Sequence, residues 1–299
     1  MEKNHENEFS ITILKPYPDR MKIITINQCK PIFIMLMLLA CFKTNAQQGA
    51  IKLPIESGKT YSKVIVVKSE AQLQNGKATV NVTSTSTVSK SYKVDAGLNG
   101  NFNVTVVINK ITDTISSGKD KFYFDSNKPV DSSSKLASSI AAIVGKAYVF
   151  QIDSSGVITS VNANNPILDV DTVFNFTGFE PEELSVGKKF PLISDVRSLK
   201  STNVGQKWTV PTLTANGDNV TEFWLLSRSD TATTMAFSKT INSQSLNTHS
   251  TGSYVVDNKT GIIVERKIKD FTSGYQTFHN ASYFATRNSI ITENCSVVN

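Results

Sequence analysis

Cysteine, histidine and long apolar runs are what this chain has least of, and each shortage excludes something. There are three cysteines and three histidines in 299 residues. Cys29 and Cys41 lie in a leader-like segment, so a processed chain would keep Cys295 alone, which excludes an internal disulfide framework. The core must then hold itself, and a chain this long buries on the order of 70–75% of its surface. No HExxH, GxSxG, CxxC, Walker or dinucleotide-binding pattern occurs, so the chemistries those patterns carry have no local support. Clustered charge is missing too. Residues 1–46 hold six of the 31 basic and four of the 25 acidic groups, leaving 25 and 21, a net +4. These are dispersed, whereas a nucleic-acid surface gathers Lys and Arg into a stripe. Nucleic acid is therefore not an expected partner.

The front of the chain reads as an address. Residues 1–20 are polar and aperiodic, which makes Met21 the expected start and the preceding residues an upstream extension. Lys22 and Lys30 precede the apolar run 31–42, and small residues follow at Thr44 and Ala46. That is the layout of a secretory signal peptide. The run of about a dozen residues is short of the roughly 20 that a spanning helix needs. Two processing readings stand. Thr44-Asn45-Ala46 resembles a signal-peptidase I site, giving a periplasmic or extracellular protein. Leu38-Leu39-Ala40-Cys41 resembles a lipobox, which would make the product an outer-membrane lipoprotein held through Cys41, although Leu39 stands where a small residue is usual.

What is present is alternation. The chain after residue 46 is rich in Val, Thr, Ser and aromatics, a composition that favours strands. Tyr61, Lys63, Ile65 and Val67 alternate with Ser62, Val64, Val66 and Lys68 in a strand expected to be buried on both faces near its middle, and Asn75-Gly76 is a hairpin signal before a second strand over 78–88. Tyr92 and Val94 begin a third, Phe102, Val104, Val106 and Ile108 a fourth, and 111–115 and 121–124 flank Ser117-Gly118. One helix is expected, over about 131–145: Asp131 to Ser134 supply caps, Leu136, Ile140, Ile143 and Val144 share a face, and Gly145 supplies a left-handed stop. A hairpin follows through Asp153-Ser154-Ser155-Gly156. Later strands are expected at 220–226, 233–237, 252–257, 261–269 and 276–285. The fold class is mainly β (α+β): antiparallel meander sheets with one amphipathic helix, in two packed sheet units. The expected organisation is 1–46 signal segment, 47–162 β-rich domain with the helix, 163–203 connector, and 204–299 second β-rich domain. The connector holds Glu180-Pro181-Glu182-Glu183-Leu184, a short-helix start, and four aromatics, Phe174, Phe176, Phe179 and Phe190, too many for a solvated linker. Val204-Gly205-Gln206-Lys207-Trp208 echoes Gly58-Lys59-Thr60-Tyr61, and Asp257 to Gly261 echoes Asp153 to Gly156. The intervals differ and no second helix follows, so an internal duplication stays an open alternative.

No catalytic, cofactor-binding or metal-ligating residue is assigned, and no cofactor is expected. Asp169 and Asp171 sit in a stretch resembling a phosphatase nucleophile motif, but Pro166 and the absence of alternating helices favour a surface loop. They lack the Gly and Glu of a calcium loop. His249 and His279 lie in Ser/Thr-rich strands and read as solvated, and Cys295 as a bystander on a frayed tail. Trp208, Trp224 and Tyr254 have strand spacing and read as core or cavity lining. Asp113-Thr114-Ile115, Asp171-Thr172-Val173 and Asp230-Thr231-Ala232 resemble O-glycosylation acceptors. Asn81, Asn103, Asn175 and Asn219 begin Asn-x-Ser/Thr triplets.

The exported leader, the Gly58-Lys59-x-Tyr61 opening, Phe124-Asp125-Ser126, the helix ending at Gly145-Lys146, the Ile152-Asp153-x-x-Gly156-x-Ile158 hairpin and Val204-Gly205-x-x-Trp208 together resemble a Bacteroidota family of exported proteins of unknown function. The resemblance spans the chain from about residue 52. It implies a β-rich exported protein and no activity. Three functions follow as expectations: non-catalytic binding of an apolar or amphipathic ligand such as lipid, a structural or surface-interaction role without small ligand, and, last, a hydrolase built on His249 or His279.

Overall fold

The computed structural model describes residues 55–162, 182, 184–194, 203–214, 217–243, 245–278 and 281–298. Cys41, Asp169, Asp171, Phe174, Phe176, Phe179 and His279 lie outside them. Residues 49–299 form one compact unit. Its elements are β1 (Thr60–Asn75), β2 (Ala78–Ala96), β3 (Phe102–Ser117), β4 (Asp120–Asp125), α1 (Lys135–Ile143), β5 (Ala147–Ile152), β6 (Ile158–Val161), β7 (Lys207–Thr214), β8 (Gly217–Arg228), β9 (Ala232–Asn242), β10 (Leu246–Asp257), β11 (Ile263–Phe278) and β12 (Ala281–Val298).

The mainly β, antiparallel architecture, with one helix among the described residues, is as expected; its connectivity adds something. All twelve strands join one sheet in the order β6-β5-β3-β2-β1-β12-β11-β10-β9-β8-β7, with β4 beside β3. The first strand pairs with the last, from Thr60 opposite Val298 to Gln74 opposite Phe284. The two strand-rich regions are thus halves of one continuous sheet rather than two packed sheets, because β1 and β12 each offer an edge that the other satisfies.

Strand lengths also differ from the expectation, for identifiable reasons. The strand over 78–88 and the one beginning at Tyr92 are a single 19-residue β2. Its inward parity runs unbroken through Val82, Ser84, Ser86, Val88, Lys90, Tyr92 and Val94, all buried; the polar members hide the continuity. In β3 the register slips so that Ser89 faces Lys110 and Lys90 faces Ile108, leaving Asn109 as a bulge. The inward parity switches there from Val104, Val106 and Ile108 to Ile111 and Asp113. The segment 276–285, expected as one strand, is where β11 turns into β12. Cys295 is not on a frayed tail: it lies in β12 opposite Lys63.

The local signals are as read. Ser134 caps α1, its hydroxyl accepting from Ala137 N at 3.2 Å, and Gly145 takes φ +73° after the last turn. The helix lays Ala137, Ile140 and Ile143 on Ile65, Val67, Val88, Ile108, Ile111 and Phe124. At the Asp153 hairpin the carboxylate accepts from Ser155 N at 2.8 Å and Val157 N at 3.0 Å, and Gly156 has φ +85°. The Asp257 turn repeats the device, accepting from Lys259 N and Thr260 N at 2.7 and 2.9 Å.

Residues 187–194 cross between those two turns. Phe190 N donates to Gly156 O at 2.8 Å, while Ile263 N donates to Leu192 O at 2.9 Å. Two residues reach only about 7 Å, so the β5–β6 turn and the start of β11 lie within about 15 Å. In a flat sheet six strand spacings would separate β6 from β11, about 29 Å at 4.8 Å each. The sheet is therefore curled, with its apolar parity inside. Phe190, Leu192 and Ile193 fill the closed end against Tyr61, Tyr92, Val94, Phe150, Ile152 and Ile158.

Candidate functional site

Two features of the concave face go beyond ordinary packing: a buried charged cluster on β1, β2, β11 and β12, and an aromatic row on β7 to β10. Strand pairing dictates both. Lys63 lies opposite Lys90 on β2, and Glu293, which faces Ile65, lies opposite Arg266 on β11. Lys63 and Lys90 are 2% and 3% exposed, which isolated lysines do not tolerate. The connector supplies the counter-charge. Glu182 accepts from Lys63 Nζ at 2.7 Å and from Tyr92 Oη at 2.6 Å, and lies 3.4 Å from Lys90 Nζ. Lys63 also meets Glu293 at 2.9 Å, and Arg266 Nη1 meets Glu293 at 3.3 Å.

The protonation states follow from this geometry. Burial pushes the Glu182 carboxyl up, but Lys90, Lys63 and the hydrogen bonds from Lys63 and Tyr92 outweigh it and hold the group at about 2. Burial lowers Lys63, yet Glu182 and Glu293 more than offset it and its pKa rises. Lys90 moves down, because burial and the neighbouring Lys63 exceed what Glu182 returns. Burial drives the Tyr92 hydroxyl well above its usual range and the adjacent Cys295 thiol to about 11. Cys295 is thus a protonated, poorly nucleophilic thiol. The cluster clamps the connector to the sheet, and Phe190 meets the Tyr92 ring edge-on at 5.8 Å. A crevice beside it, too narrow to admit a water molecule, is bounded by Lys63, Pro191, Leu192, Ile263, Arg266, Glu293 and Cys295.

The aromatic row begins at the free edge of the sheet. Trp208 stacks on Phe223 at 5.9 Å, Phe223 meets Phe237 at 6.3 Å, and Phe237 meets Tyr254 at 6.5 Å. All four are half-buried. Gly252 faces Phe237 in register, and a β-carbon there would strike the Phe237 ring and the Lys267 carbonyl. The glycine is what lets that ring lie on the sheet. Tyr254 lies directly opposite Arg266, so the row runs into the charged cluster.

Trp208 and Tyr254 thus line the concave face as expected. Trp224 does not: it points outward, with Lys207 Nζ 5.1 Å from its ring centroid, because it alternates with Phe223 and Leu225. His249 is exposed, 3.3 Å from Thr240 Oγ1. Asp113 is buried, accepts from Ser86 Oγ at 2.8 Å and is raised to about 6 by burial; Thr231 sits on an exposed turn. Glu182, assigned by the sequence only to a short-helix start, is in no helix, and no local pattern announces its partners on β1 and β2. Among the described residues no group of three or more His, Cys, Asp or Glu is placed to hold a metal, and no helix is long and apolar enough to cross a membrane.

No family model and no curated protein matches the chain. Solved structures that match include an outer membrane channel from Pseudomonas putida F1, with 6% identity over 82% of this chain and 98% of that one, at a TM-score of 0.26. The translocator domain of the autotransporter NalP from Neisseria meningitidis matches with 7% identity over 81% and 90%, at 0.22. OpdQ from Pseudomonas aeruginosa matches with 7% identity over 82% and 100%, at 0.22. At such TM-scores the likeness carries no argument about function.

Proposed function

We propose that this is an exported, non-catalytic envelope protein whose concave face holds an apolar or amphipathic ligand, such as a lipid. The observation that carries the reading is the half-buried row Trp208, Phe223, Phe237 and Tyr254. The same face is packed shut over β1 to β5 but keeps aromatic surface accessible over β7 to β10. Half-buried rings ordered side by side on a concave surface are suited to a flexible hydrocarbon chain, which gains transfer free energy along its length. Export is the address that the segment 21–46 describes. Native mass spectrometry of protein purified from cells expressing the full chain tests the ligand: adducts of lipid mass, removed by delipidation and restored on adding lipid, are expected. A bare mass that no lipid changes would overturn the reading and favour a structural role.

A further inference from the structure

The outward face of the β11–β12 hairpin carries large apolar side chains in water. Phe271 and Tyr275 have the parity opposite to buried Thr272 on β11, and Phe284 and Ile290 the parity opposite to buried Ala285 and Ser289 on β12. All four therefore point away from the concave face, with 44%, 64%, 39% and 53% of their surfaces exposed. Tyr275 lies directly opposite Phe284, and their rings meet edge to face at 5.3 Å. The strip covers residues 269–275 of β11, about 20 Å of strand, and runs down toward the β11–β12 turn. Its other end is basic. Ile290 sits between Lys269 of β11 and Lys68 of β1 in the ladder, and both lysines are exposed. Glu70 is the acidic neighbour, opposite Asn288.

The dimensions of the strip select the kind of partner. A stable protein interface covers about 800 Å² on each side with some 20 residues. Here four apolar side chains are interrupted by the polar row Asn247, Ser273, Thr286 and Gln72. A bilayer needs no matching shape. Aromatic rings settle at its headgroup level, a tyrosine keeps its hydroxyl in water, and lysines reach lipid phosphates over their apolar stems. We propose that the β11–β12 hairpin docks this protein on an anionic bilayer surface. Phe271, Tyr275, Phe284 and Ile290 enter the headgroup layer, and Lys68 and Lys269 meet phosphates. This surface is on the opposite face from the aromatic row, so it stands or falls independently of the ligand reading. Apolar contact and charge are each weak alone; together they give a reversible attachment that salt loosens.

Vesicle flotation tests it. The protein is recovered from the periplasm after expression of the full chain with Cys41→Ser, so that neither an acyl group nor the leader holds it to lipid. Vesicles of equimolar phosphatidylcholine and phosphatidylglycerol are expected to bind it at least tenfold more tightly than phosphatidylcholine alone, and raised salt should narrow that gap. Tyr275→Ser with Phe284→Ser should weaken binding to both vesicles at least tenfold. Lys68→Gln with Lys269→Gln should remove only the preference for the anionic ones. Leu98→Ser, at an 82% exposed position beyond the far end of β2, should change nothing. An unchanged circular dichroism spectrum and midpoint of unfolding exclude misfolding as the cause. No binding to either vesicle, or binding that the hairpin variants leave intact, would overturn the proposal. A dimer in sedimentation velocity that Tyr275→Ser with Phe284→Ser splits, without vesicle binding, would overturn it in favour of a second copy of this chain.

Discussion

The two halves of this sheet share one curvature and one alternation, yet they use the inward face differently. Over β1 to β5 it is finished: Tyr92, Val94, Val104, Phe150 and Ile152 have no more than 1% of their surface exposed, closed by residues 190–193 at one end and α1 farther along. Over β7 to β10, among the described residues, Leu225, Met235 and Val256, with Ile263 of β11, form a small buried group, and the aromatic row beside it stays half-buried. Among the described residues, only the first half has a helix on its sheet. The difference shows that alternation alone does not make a core; something must lie on the apolar face.

The outward face teaches the complementary point. Lys68, Glu70 and Gln72 of β1 and Thr83 and Thr85 of β2 are exposed. A membrane-spanning barrel needs the opposite arrangement, with an apolar band outside. Over β1 and β2 the outward face is mostly polar, with Val64 exposed among it, whereas Phe271, Tyr275, Phe284 and Ile290 are exposed on β11 and β12.

The contrast between halves can be broken most severely at the filled end. Phe150→Ala should cost about 3–5 kcal/mol by urea denaturation, the range for truncating a buried aromatic; Phe223→Ala should cost less than half of that. Equal losses would mean that both halves are packed alike. Glu182→Ala is expected to cost about 3 kcal/mol, since it removes the buried carboxylate that Lys63 and Lys90 share. Its pH signature is distinct. The native pKa of about 2 lies below the ordinary carboxylate value, so the Glu182 contribution is present above about pH 4.5 and disappears as pH falls toward 2. Asp113 works in the other direction. With a native value of about 6, its ionised form is disfavoured in the fold, so stability should rise as pH drops from about 7 to 4. Asp113→Asn should flatten that limb, worth on the order of 2 kcal/mol. Gly252→Ala should cost about 1–3 kcal/mol, since the added β-carbon strikes the Lys267 backbone carbonyl as well as the Phe237 ring. It should also displace Phe237, seen as a changed near-ultraviolet dichroism spectrum.

The sequence made local devices legible and long-range ones illegible. Ser134, Gly145, Asp153 and Gly156 act within a few residues of themselves, so their roles could be read directly. The Asn109 bulge reverses parity inside what looked like two strands, and the buried Ser84, Ser86 and Lys90 disguise β2 as two. Lys63 shares the parity of Tyr61, Ile65 and Val67, but nothing local shows what pairs it until Glu182, from the far side of the helix and hairpin, is seen against it. The closure of β1 on β12 joins positions more than 200 residues apart, such as Ser69 and Ser289 at 2.9 Å, and no periodicity encodes that. Trp208 and Trp224 look alike in sequence; only register puts one inside and the other outside.

That opposition supplies the most direct test. Trp224→Phe and Trp208→Phe variants each leave one tryptophan, and an acyl chain brominated along its length quenches only rings it touches. Strong quenching of Trp208 with Trp224 unaffected is the predicted result. Equal quenching of the two, or none of either at saturating chain, would contradict a ligand on the concave face.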